Sequence, residues 1–156
     1  MARAKATPRM VCLTVRLRFD AAPERVFEAI SDHERFLRGF PVRTAGLIRA
    51  GHIERNGLGA VRRVCTMGLD FVEEITLFDR PKAYEYRVRQ LNLAARHTLG
   101  RLDVIPCPDG AEVVWRTHYA VLTPVIGPLL SVLLAPFIQL TFSLLLRRAR
   151  QQLRTA

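Results

Sequence analysis

The sequence predicts an α+β fold in which a curved, seven-stranded antiparallel sheet wraps around one long C-terminal helix, with two short helices after strand 1. Three observations predict it. The chain ends in a charge-free stretch, Leu129 to Leu146 (LLSVLLAPFIQLTFSLLL), that runs directly into the basic tail RRARQQLR. Ahead of it lie six short segments rich in β-branched and aromatic residues, separated by turn-forming residues. Near the N-terminus, Val11, Leu13, Val15, Leu17 and Phe19 alternate with Cys12, Thr14, Arg16 and Arg18, the period of a half-buried strand.

That first strand ends at Asp20. AAPERVFEAISD follows, with Pro23 suited to a first helical turn and Val26, Phe27 and Ile30 on one side. Asp32, His33, Glu34 and Arg35 are expected to cap a second short helix that carries Phe36 and Leu37 and stops at Gly39. From Arg43 onward the pattern becomes a meander, with strands near 43–51, 59–69, 70–79, 83–91, 96–105 and 111–122. Asn56-Gly57, Gly68, Asp79-Arg80-Pro81, Asn92 and Pro106 to Gly110 divide them, and turns at such intervals read as antiparallel hairpins. No GxGxxG, P-loop or βαβ alternation is present, which argues against a nucleotide-binding parallel sheet.

Composition bounds the rest. The chain has 156 residues, 49% of them apolar and 24% charged, which suits one globular domain over residues 10–156 behind a short disordered basic arm, MARAKATPR, over residues 1–9. The arm leads into an apolar run that Arg16 and Arg18 break, so it does not read as a secretory signal. Net charge is +10 and almost all of it is arginine, since Lys5 and Lys82 are the only lysines. The arginines are dispersed, and there is neither a recognition motif nor an exposed stacking platform; the reading is a solvated surface and no nucleic-acid partner. Cys12, Cys65 and Cys107 stand far apart, with no CxxC and no histidine at ligand spacing. This argues against a disulfide framework or a metal centre, fits the cytoplasm, and gives no reason to expect a cofactor.

The C-terminal stretch needs cover on most of its circumference. A helix of about 18 residues is about 27 Å long, which matches both a bilayer core and a sheet it could lie across. Pro136 lacks an amide proton and should kink the helix or divide it. The strands supply the cover: Tyr84, Tyr86 and Val88 share one face, as do Val113, Trp115, Thr117, Tyr119 and Val121. The helix is therefore expected to fold back over the concave face of its own sheet. Its excess of leucine leaves the outer side of residues 125–135 uncovered, as a contact for membrane, a ligand entrance or a second subunit. Arg147, Arg148, Arg150 and Arg154 then complement the dipole at the helix C-terminus, or acidic lipid.

FDAAPERVFEAISDHERF, RNGLGAVRRV, FVEEITLFDRPKAYEYRV, GAEVVWRTHYAV and the final helix resemble the polyketide cyclase/dehydrase and lipid-transport group of the START-like (SRPBCC, helix-grip) superfamily. The resemblance spans about residues 11–153 and lies in pattern and order, not in a catalytic signature. It implies a helix-grip fold with a hydrophobic cavity between sheet and helix, and two short helices closing one end. It does not imply one chemistry.

Candidate lining residues are Phe71, Tyr84, Tyr86, Trp115, Thr117 and Tyr119 from the strands, with Phe137, Leu140, Phe142 and Leu144 from the helix. The competing reading is that they fill a solid core. Glu73 and Glu74 are adjacent on a strand, so only one looks inward, as an acid or a ligand anchor; the plainer alternative is a surface charge paired with Arg63 or Arg87. His97 is ambiguous in facing, while His118 is out of phase with Trp115 and Tyr119 and should point outward. His97, Glu73 and Glu74 are thus weak catalytic candidates, without a recognisable nucleophile constellation. The leading function is binding or transport of a hydrophobic small molecule or lipid. Two alternatives stand beside it: a cofactor-independent cyclase/dehydrase of lyase type, and a membrane-peripheral protein using the apolar helix. The same helix would also serve a homodimer.

Overall fold

Strand β1 (Val11–Phe19) is followed by the helices α1 (Pro23–Ser31) and α2 (His33–Phe36), then β2 (Val42–Arg49), β3 (Val61–Thr66), β4 (Leu69–Asp79), β5 (Ala83–Leu91), β6 (Ala95–Cys107), β7 (Gly110–Val121) and α3 (Gly127–Thr155). The computed structural model describes residues 8–155; the arm expected over residues 1–9 lies, apart from Pro8 and Arg9, outside them. All seven strands form one antiparallel sheet in the order β1-β7-β6-β5-β4-β3-β2, so β1 and β2 are its edges and α1 and α2 carry the chain from one edge to the other.

Alternation sets which side chains enter the grip. Val15 and Phe19 of β1 are buried while Arg16 and Arg18 are not. The β3–β4 connection is the two-residue turn Met67-Gly68, with φ of 47° and 82°; positive φ at both centres gives the turn the same twist as its strands. Behind it, the Asn92 side chain at the β5–β6 tip donates to the Gly68 carbonyl (2.8 Å) and accepts from the Asp70 amide (2.9 Å), locking the two hairpin tips together.

Both short helices form, but Asp32 does not cap α2 with its side chain. Its backbone carbonyl accepts from Arg35 and Phe36, and its amide donates to Glu28 to close α1, so one residue serves two helices through its main chain. Val26, Phe27 and Ile30 of α1 are fully buried, and the Tyr84 hydroxyl donates to the Ile30 carbonyl (3.0 Å), tying α1 to β5.

Helix α3 folds back on the sheet, packing on β1, β7 and α1. Pro136 does not divide it, and the basic tail is part of the same 29-residue helix. The arginines consequently sit differently from the expectation. Only Arg154 lies in the last turn, where it pairs with Asp20; Arg148 donates to the carbonyls of Arg38 and Phe40 and fastens the α2–β2 link. Arg154 holds the Asp20 carboxyl below its usual range, first by hydrogen bonding and then by charge.

Candidate functional site: the cavity under the C-terminal helix

Between the concave face and α3 lies a cavity of about 390 Å³. It exists because the two ends of the grip close differently. Leu145, Leu146 and Ala149 plug one end against α1 and β1, whereas toward the helix N-terminus Leu134, Phe137, Ile138 and Thr141 border open space beneath the helix. The walls are chiefly apolar: Val64 and Phe71, Val88 and Leu91, Trp115 and Val121 on the sheet, with Leu134, Ile138 and Phe142 on the helix.

Trp115 and Phe142 stack at 3.6 Å between ring centroids, nearly parallel, and Phe36 covers another side of the indole at 5.6 Å. The Trp115 Nε1–H donates to the Tyr86 hydroxyl (3.0 Å). Tyr86 lies flat on His97 (5.5 Å, 15°), and Gly100 is what lets it do so, since a Cβ there would come within 2.2 Å of the Tyr86 ring. This glycine is required by close packing, not by turn geometry.

Two polar stations interrupt the apolar lining. At the first, Arg62 of β3 and Glu73 of β4 face each other in register and form an ion pair, both side chains almost fully buried, with the guanidinium 5.5 Å over the Tyr86 ring. Burial pushes the Glu73 carboxyl up against the opposing pull of Arg62. Glu73 is the only acidic residue among the described residues that line the cavity. Just behind the pair, His33 meets Tyr84 edge to face (5.1 Å, 69°), and burial, followed by the Arg62 charge, holds its pKa well below the usual value. Its ring nitrogens and the Arg62 Nη1 have no hydrogen-bond partner among the described residues.

At the second station, the Val88 amide donates to His97 Nδ1 (3.2 Å), so the proton of the neutral ring sits on Nε2 and is donated to the Thr117 hydroxyl (3.1 Å). Burial, aided by His118 and Arg87, lowers the His97 pKa to about 4, which keeps the ring neutral near pH 7. Thr117 and Tyr86 each accept one bond here and each retain a hydroxyl proton for another acceptor.

Of the residues singled out from the sequence, Phe71, Tyr84, Tyr86, Trp115, Thr117, Tyr119, Phe137 and Phe142 stand on the cavity wall, together with His97 and Glu73. Leu140 and Leu144 do not. At 100° per residue they fall outside the inward stripe formed by Leu134, Ile138, Thr141 and Leu145, and Leu140 faces solvent. Glu74 points outward and pairs with Arg89 (2.8 Å) and Arg49 (3.6 Å), while Arg63 pairs with Asp70; neither glutamate takes Arg63 or Arg87 as partner. Two tyrosines spend their hydroxyls on the protein, Tyr84 on Ile30 and Tyr119 on the Ser131 carbonyl (2.7 Å).

Arg62 escaped the sequence reading, which took it as surface charge. A signal existed: Arg62-Arg63 on one strand, like Glu73-Glu74 on the next, sends one charge to each face, and antiparallel pairing brings the two inward ones together.

The family model described as polyketide cyclase / dehydrase and lipid transport matches residues 10–154. No curated protein matches the sequence. Among solved structures, a START superfamily protein from Mycobacterium smegmatis superposes with a TM-score of 0.72 at 18% identity, covering 92% of this chain and 98% of that one. A protein from Thermus thermophilus gives 0.72 at 21% identity, covering 94% and 98%. Norcoclaurine synthase from Thalictrum flavum, solved in complex with dopamine and hydroxybenzaldehyde, gives 0.70 at 11% identity, covering 100% and 95%. At these identities the likeness is one of fold.

Proposed function

This chain belongs to the polyketide cyclase / dehydrase and lipid transport family, and we propose that it binds a hydrophobic small molecule or lipid between sheet and helix. The observation that carries the reading is the cavity itself: about 390 Å³, walled by aromatic and aliphatic side chains, with few polar groups placed to orient a guest. An apolar body would lie along Trp115, Phe142 and Ile138, and an oxygen on it would accept from the Thr117 or Tyr86 hydroxyl. The fold-related synthase that holds dopamine and hydroxybenzaldehyde is in keeping with an aromatic guest.

Binding is favoured over a cyclase because the one carboxylate and the one histidine among the described residues that line the cavity are spoken for separately. Glu73 is committed to Arg62, and His97 is held by Val88 and Thr117 with its basicity reduced, so among the described residues that line the cavity no histidine–carboxylate pair is assembled for proton transfer.

Titration with an environment-sensitive apolar dye, followed by displacement with fatty acids and polycyclic aromatics, tests this reading. Saturable binding of one dye per chain is expected, and Thr141→Trp, which fills the cavity from the helix side, should abolish it while the fold is retained. Dye binding that is unsaturable, or unchanged in the filled variant, would reject the cavity as the site.

A further inference from the structure

The outer face of the first half of α3 is uncovered. Leu129, Val132, Leu133, Phe137 and Leu140 are all more than half exposed and on a helical wheel share an arc of about 140°, and Ile126, just before the helix, is half exposed as well. Although α3 is long and apolar enough to cross a membrane, only 17% of its apolar window is buried. So large an apolar surface on a folded chain marks an interaction site. Val125, at the start of the same surface, is 96% exposed with a left-handed φ of 65°, which holds a β-branched side chain out from the fold.

We propose that this face docks on the surface of an anionic bilayer, with the helix lying in the plane of the interface. Spanning is ruled out by the opposite face, which is packed on β1, β7 and α1 through Ser131, Leu145, Leu146 and Ala149. The choice of lipid over a second copy rests on charge. After Glu112 the sequence has no acidic residue but five arginines, of which Arg116 and Arg154 pair with Asp103 and Asp20 and Arg148 bonds the Arg38 and Phe40 carbonyls, while Arg147 and Arg150 make no ion pair among the described residues; between Glu85 and Asp103, the stretch that forms the β5–β6 tip, the sequence again has no acidic residue. Arg147 continues the apolar arc two turns beyond Leu140 and is exposed. Two α3 helices packed face to face would bring arginines together without a carboxylate between them, whereas anionic headgroups supply the missing charge.

The docked face also meets the cavity. Met67, Arg96 and Phe137 are exposed and at the same time line the cavity, so they mark its mouth, and Phe137 belongs to both surfaces. Docking would set the mouth against the headgroups, with Arg96 among the phosphates and Met67 and Phe137 below them. The proposal concerns a surface outside the cavity, and it stands or falls independently of what the cavity binds.

Flotation of the full chain with vesicles of phosphatidylcholine alone, and of phosphatidylcholine mixed with phosphatidylglycerol, provides the test. The protein should float with the mixed vesicles, and less so as salt is raised. Leu129→Glu and Leu133→Glu, both at exposed positions away from the cavity, should each weaken vesicle binding about tenfold or more, the loss of one buried leucine, without altering dye binding in the cavity. No flotation with mixed vesicles would overturn the proposal, as would equal flotation with uncharged ones. A stable dimer in sedimentation that Leu129→Glu dissolves, with no vesicle binding, would assign the face to a second copy instead. The salt series on the unmodified chain decides the electrostatic part even if a variant fails to fold.

Discussion

The two halves of α3 are made of much the same residues and have opposite surroundings. Leu145 and Leu146 are buried in the closed end of the grip, packed with Phe19, Val26, Phe27 and Ile30, whereas Leu129, Leu133 and Leu140 face outward over the open end. The same side chain is therefore a structural plug at one end and free surface at the other. Hydrophobicity alone does not say which part of a helix holds a fold together. The position along the sheet does, because α1 packs on α3 at one end, and there Leu145, Leu146 and Ala149 are buried beneath the helix while Arg147 on its outer side stays exposed.

The sharpest way to break this comparison is to truncate at the plug. Leu146→Ala should cost about 2–5 kcal/mol, since the site is fully enclosed and cannot collapse, and urea denaturation will read it. A loss under about 1 kcal/mol would mean that the closed end is not the stability-determining one.

Midway between the two ends, Gly100→Ala should cost about 1–3 kcal/mol, because the new Cβ displaces the Tyr86 ring and with it the Trp115 hydrogen bond. Trp115 is the sole tryptophan, so its emission should shift in the folded variant; an unchanged spectrum would place the strain elsewhere.

Protonation tests the cavity side. His97 has a folded pKa of about 4 against an unfolded value near 6.5, so the unfolded chain binds the proton first and stability is lost as pH falls below about 6.5. Glu73 acts in the opposite sense, since its raised pKa makes the folded state the better proton acceptor; comparison with a variant isolates the histidine. Between pH 7.5 and 5, His97→Gln should lose about 2 kcal/mol less stability than the unmodified chain. Equal losses would mean that the imidazole is not held neutral by burial.

The smallest expected effect is at the open end: Leu129→Ala should change stability by no more than about 0.5 kcal/mol. A cost comparable to that of Leu146→Ala would erase the distinction between the two halves.

Much of the grip was legible in the chain. The period-two runs give seven strands, and the observed boundaries fall within two residues of those read from the turns at most ends, because turn chemistry and alternation are local properties. The same alternation puts Tyr84, Tyr86, Trp115, Thr117 and Tyr119 on one concave face. It fails on the helix, where Leu140 and Leu144 look identical in sequence to Leu134 and Leu145, and where the few polar residues, Ser131, Gln139, Thr141 and Ser143, do not mark out one face at helical spacing. Likewise Asp32 reads as a side-chain cap, yet two abutting helices satisfy its groups through the backbone.

The sequence by itself determined the element order, the facing of β1, β5 and β7 and the presence of one long apolar helix, since each follows from neighbours a few residues apart. Tertiary structure alone decided the inward Arg62–Glu73 pair, the tautomer of His97 fixed by Val88 and Thr117, which helix residues line the cavity, and the closure of only one end. Those outcomes depend on which strand lies beside which and on where α1 crosses α3, contacts between residues far apart in the chain that no local periodicity encodes.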